Sequence, residues 1–138
     1  MSTGWISLSR RWRYTTQTRD NTRSLGKKEE NRAAEFLENS GCTVLERNFS
    51  CRSGEIDLIF SDCDGVICFG EVKYRSDFRK GFPEEAVDRR KQRRICRTSD
   101  HYRSKFALDE SLSYRYDVIA ISGEEIEWIK NAFEYVAF

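Results

Sequence analysis

The stretch that decides the fold is Gly54-Glu55-Ile56-Asp57-Leu58-Ile59-Phe60, a turn at Asp62-Cys63-Asp64-Gly65, then Val66-Ile67-Cys68-Phe69-Gly70-Glu71-Val72-Lys73-Tyr74. Glycine tolerates positive φ and aspartate caps its own backbone, so the turn joins two strands, Glu55–Phe60 and Val66–Tyr74. Side chains alternate along a strand, which puts Glu71 and Lys73 on one face and Val72 on the other. Two carboxylates and an ammonium in a half-buried sheet are costly unless paired or holding a metal. A hard cation such as Mg²⁺ or Mn²⁺ needs oxygen ligands, which Asp57, Glu71 and the Val72 carbonyl supply. The substrate for which such a site is useful is a phosphodiester, so a metal-dependent nuclease is expected, with Lys73 either orienting a water or offsetting phosphate charge.

Working outward, residues 27–40 read as a first helix: Ala33, Ala34 and Leu37 share a stripe that Phe36 broadens, and Gly41 ends it. Glu30 on that helix is a candidate further ligand, directly or through water, and Glu55 shares the parity of Asp57. Cys42–Phe49 reads as a short strand and Arg52-Ser53-Gly54 as a turn. Beyond the hairpin, Pro83 is expected in the first turn of a long helix running to about Lys105. Arg89, Arg93 and Arg97 recur on it every four residues, either as a cationic ridge for the nucleic-acid backbone or as stems covering the sheet edge. Tyr114–Ile121 and Glu125–Ile129 complete the order αβββαββ, an α/β fold with a mixed sheet flanked by helices. A glycine-rich phosphate loop is absent.

The 138 residues suit one domain, expected over 25–138 after a flexible basic arm at 1–24, a loosely packed tail unless its Trp5 and Trp12 dock on the body or stack on a base. The net charge of +1 hides an asymmetry. Residues 71–105 carry twelve Lys/Arg against six Asp/Glu, residues 106–138 two against seven, so a polyanion would meet a positive surface beside an acidic site. Five irregularly spaced cysteines and one histidine give no zinc motif and no disulfide framework. No apolar run is long enough to span a membrane and no secretory h-region follows the N-terminal arginines, so a cytoplasmic location is expected.

Several ordered motifs resemble the bacterial YraN-like family of small uncharacterised proteins. They are G-K-K-E-E-N-R-A-A-E-F-L from Gly26, R-N-F-S-C-R-S-G-E-I-D-L-I, G-E-V-K-Y-R-S, G-F-P-E-E-A-V-D-R-R-K-Q-R-R, Y-D-V-I-A-I and I-K-N-A-F. That family is considered related to restriction-endonuclease-like nucleases and, more distantly, to archaeal Holliday-junction resolvases. The resemblance implies a restriction-endonuclease-like fold and a site of Glu30, Asp57, Glu71 and Lys73, with Gln92 at the polar position of K-Q-R-R. It implies DNA as partner, branched or junction DNA included, leaves a homodimer open, and has as its alternative a non-catalytic nucleic-acid-binding module. Two positions depart from the family pattern. Glu29 stands where glycine is usual, and Gly70 where a large apolar residue is usual, which is expected to remove packing before Glu71.

Overall fold

The Asp62–Gly65 turn forms as expected. Asp62 Oδ1 accepts the Asp64 and Val66 amides, each at 2.9 Å, and the Gly65 amide closes on the Asp62 carbonyl at 3.0 Å. It joins β2 (Gly54–Ser61) to β3 (Ile67–Tyr74), antiparallel, with Leu58 opposite Gly70. This computed structural model describes residues 16–74 and 87–137, with side chains from residue 26. Its remaining elements are α1 (Thr16–Asn39), β1 (Thr43–Cys51), α2 (Arg89–Lys105), β4 (Tyr114–Ser122) and β5 (Glu125–Phe133). The sheet has the order β1-β2-β3-β4-β5; β3 and β4 pair in parallel and the other neighbours antiparallel. This is the mixed α/β sheet read from the sequence, consistent with restriction-endonuclease-like topology.

Both helix starts differ from expectation. α1 begins at Thr16, not near Lys27, and so runs back into the stretch read as an arm. Its first half carries no apolar period, so periodicity could not reveal it. Residues 1–15, with Trp5 and Trp12, lie outside the described residues. At its end Gly41, at φ +93°, lets the Cys42 amide reach the Leu37 carbonyl at 2.9 Å and its own amide the Glu38 carbonyl at 3.1 Å. α2 begins at Arg89 because Asp88 caps it, accepting the Lys91 amide at 2.9 Å. The expected start at Pro83 is therefore corrected; Pro83 itself lies outside the described residues.

Each helix covers one face of the sheet. Ala33, Ala34 and Leu37 of α1 pack on Leu58, Phe60, Cys68, Val72, Ile119 and Ile121. Ile95, Cys96 and Tyr102 of α2 pack on Ile59, Phe69, Tyr116 and Val118. Gly70 leaves no hole between them. A Cβ there would meet Phe60 Cε1 and Ile119 Cδ1 at 3.0 Å, so neighbouring side chains occupy the volume that the expected loss of packing would have emptied. Away from the hairpin's acids, buried Asp117 accepts Arg115 Nε (2.8 Å), Arg115 Nη2, Trp128 Nε1 and the Asn131 amide (2.9 Å each). Arg115 Nη1 continues to Asp62 at 3.0 Å, fastening β4 and β5 to the hairpin turn. All five cysteines are free thiols, with Cys42, Cys68 and Cys96 buried and Cys63 exposed. Among the described residues, no helix is long and apolar enough to cross a membrane.

Candidate active site

The sheet opens between β2 and β3 at Asp57. On one side, β1–β2 pairing holds at Arg47–Leu58 and resumes at Phe49–Ile56, skipping the position where Asn48 would face Asp57. Asn48 has φ +52°, a left-handed conformation that asparagine tolerates and most residues avoid. On the other side, β2–β3 pairing stops at Leu58–Gly70, one step before Asp57 would meet Glu71. In place of a ladder bond, Asp57 Oδ2 accepts the Val72 amide at 2.9 Å. The break also explains why Ile56 packs beneath α2 with Ile59, against simple alternation.

Into this opening β3 delivers Glu71 and Lys73 on one face, while Val72 packs toward α1, as alternation requires. Glu71 is 5% exposed and Lys73 fully buried. Lys73 Nζ stands 3.1 Å from Glu71 Oε2 but out of line for a hydrogen bond, and it has no other acceptor among the described residues. Its charge is compensated while its donors are not. Lys91, from the first turn of α2, places its Nζ 3.4 Å from the same Oε2.

These neighbours split the two acids. Partial burial pushes the Asp57 carboxyl well above the ordinary aspartate range, the nearby Glu71 charge adds to it, and the Val72 amide only partly offsets both. Burial would raise Glu71 as well, but the Lys73 and Lys91 ammoniums outweigh it and hold that carboxyl below its ordinary value. The two carboxyls are thus pushed apart, Asp57 upward and Glu71 downward. Glu30 reaches the pair from α1. Burial raises its carboxyl, a hydrogen bond from Asn48 opposes this, and the charges of Glu55 and Glu71 push it further up.

The structure thus brings Asp57, Glu71 and Lys73 together, with Glu30 in electrostatic range. Among the described residues, no three His, Cys, Asp or Glu side chains converge closely enough to hold a metal ion. Glu30 therefore does not close a three-carboxylate cage in this arrangement. Gln92 is engaged elsewhere, its Nε2 donating to the Val87 carbonyl at 2.9 Å and tying down the entry to α2. Arg89 and Arg97 are exposed and Arg93 half-buried, on the side of α2 away from its buried Ile95, Thr98 and Tyr102. Two contributors escaped the sequence reading. Lys91 was one cation in a basic run, and Asn48 carried only a faint signal, a poor β-former inside a strand.

The family model described as "Uncharacterised protein family UPF0102" matches residues 29–121. A UPF0102 protein of Lachnoclostridium phytofermentans is 46% identical over 109 residues, covering 79% of this chain and 92% of that protein. One from Persephonella marina is 42% identical with the same coverage, and one from Nitrosomonas europaea 45% identical over 102 residues, covering 72% and 84%. The chain belongs to the UPF0102 family, which bears out the family resemblance carried by its motifs.

Proposed function

We propose that the protein is a Mg²⁺- or Mn²⁺-dependent nuclease that hydrolyses DNA phosphodiesters, branched DNA included. One observation carries the reading: a sheet opened at Asp57 so that two carboxyls meet, one of them with a fully buried lysine at 3.1 Å. A fold gains no stability from ending the β2–β3 ladder where two like charges come together, so the arrangement fits a ligand that needs both.

The donor set suits a hard dication in part. Asp57, Glu71 and the Val72 carbonyl would hold it, with Glu30 contributing through water, and such a charge would relieve the burial that raises Asp57. When bound, the ion would neutralise phosphate charge and acidify water. The protein's own groups supply the rest. Lys73, on the Glu71 side, offsets charge growing on the phosphate, and the exposed arginines of α2 attract the DNA backbone.

Lys73 and Lys91 already compensate Glu71 without any ion, and this favours a second reading, a nucleic-acid-binding module that does not cleave. The purified chain should be incubated with single-stranded, duplex, flap and four-way-junction DNA in Mn²⁺ or EDTA. Metal-dependent cleavage that disappears in Asp57→Ala and Glu71→Ala supports the nuclease. Binding that tolerates EDTA and survives Asp57→Ala, with no cleavage anywhere in the panel, supports the module instead.

A further inference from the structure

Glu71 Oε2 carries two ammoniums that differ in kind. Lys73 approaches at 3.1 Å from two positions along the same strand and is wholly enclosed. Lys91 approaches at 3.4 Å from α2, with about a third of its side chain exposed (32%). Its position on α2 is electrostatically poor. Beyond the Asp88 cap the first turn contains no acid, and Arg89 and Arg90 precede Lys91 at the end where the helix dipole is already positive. The Lys91 ammonium is paired with the Glu71 carboxylate, while its backbone amide is held by Asp88. A cation that is a third exposed, set at the positive end of its helix and paired through one carboxylate oxygen is readily exchanged for another cation.

We propose that Lys91 is the resident counter-cation of Glu71, that a divalent ion displaces it, and that the freed ammonium then contacts the substrate phosphate. The proposal rests on the nuclease reading and adds to it a residue from α2. Displacement would leave the Lys91 ammonium free beside the opened sheet, a positive charge that a phosphodiester oxygen recognises. Lys73, buried and short of an acceptor, stays with the carboxylate. Filling the site thereby converts an internal ion pair into a substrate contact, and metal and DNA binding become coupled.

Calorimetric titration of the full chain with MnCl₂, without DNA, tests the exchange in wild type, Lys91→Met and Lys91→Arg. Removing the competitor should tighten Mn²⁺ binding by about tenfold in Lys91→Met, whereas Lys91→Arg should stay near wild type. A second measurement needs no variant: acetylation of Lys91 in the wild-type chain, read by mass spectrometry. Its rate should rise when Mn²⁺ is added and fall again with a short DNA duplex. Equal Mn²⁺ affinity in wild type and Lys91→Met, or an acetylation rate indifferent to Mn²⁺, overturns the exchange and leaves the nuclease reading standing. Failure of the wild type to bind Mn²⁺ at all removes both.

Discussion

Two lysines on one buried carboxylate predict a stability pattern that neither lysine alone would reveal. At 3.1 and 3.4 Å and an effective dielectric of ~20, each pair attracts by about 5 kcal/mol before desolvation, less for Lys91 because water screens it. Lys73 returns much of its share, since enclosing an ammonium without an aligned acceptor costs several kcal/mol. Lys73→Met fills similar space and leaves Lys91 in place, so its net cost should be about 1 kcal/mol. Lys91→Met, at a half-exposed position, should cost about 1 kcal/mol or less. The double variant leaves Glu71 buried with neither partner, a situation worth about 3–5 kcal/mol. The cycle should therefore show an excess loss of about 1–3 kcal/mol over additivity.

Urea unfolding in EDTA near neutral pH gives these differences directly, and the double variant should melt roughly 10 °C lower. The pH dependence adds a sign. In wild type, Glu71 is held below its ordinary 4.5. Its contribution is thus present above the unfolded value and lost as pH falls through the folded one. Without the lysines that depression disappears, so the double variant's deficit should shrink as acid neutralises Glu71. Additive losses within about 0.5 kcal/mol, or a Lys73→Met as damaging as the double change, would refute the shared-carboxylate argument.

Asp57 behaves in the opposite sense, since burial holds its carboxyl above the ordinary 3.8. Metal-free wild type should gain stability as pH falls through that raised value toward 3.8. Asp57→Asn should lose this slope, match or exceed wild type in EDTA near neutrality, and lose stabilisation by Mn²⁺; retained Mn²⁺ stabilisation would misplace the site. At Gly70, alanine forces contacts of 3.0 Å on Phe60 and Ile119, so overpacking should cost about 1 kcal/mol for Ala and roughly 2–3 for Val in thermal melts. A more stable Gly70→Val would contradict the filled volume described above. Asp117→Ala leaves Arg115 with Asp62 alone and strands the Trp128 indole and the Asn131 amide, and should cost about 3 kcal/mol by urea unfolding, with a loss under 1 kcal/mol telling against the network. Replacing Arg89, Arg93 and Arg97 with Gln should weaken DNA binding across sequences and flatten its salt dependence by roughly one log–log unit per lost phosphate contact. An unchanged slope with altered sequence preference would mean that these residues read bases.

What the sequence made legible, and what it hid, divides along a physical line. The hairpin was legible because Asp62 and Gly65 act within four residues and apolar runs, Leu58–Phe60 and Val66–Phe69, flank the turn. Glu71 and Lys73 were legible because alternation is a property of one strand. The break at Asp57 was not. It requires Asn48 from β1, at positive φ, and the early end of β2–β3 pairing, neither of which any single segment encodes. Lys91 was hidden for a related reason: helical period places it on α2, but only the packing of α2 over β3 decides that it, rather than Arg90 or Gln92, meets Glu71. Gly70 shows the same limit in reverse. Read along its strand, it looks like missing packing; in the folded sheet, Phe60 from β2 and Ile119 from β4 fill the space from either side. Charges within one element thus announced a site, while the groups set to tune and neutralise it came from other elements, where tertiary packing alone makes them neighbours.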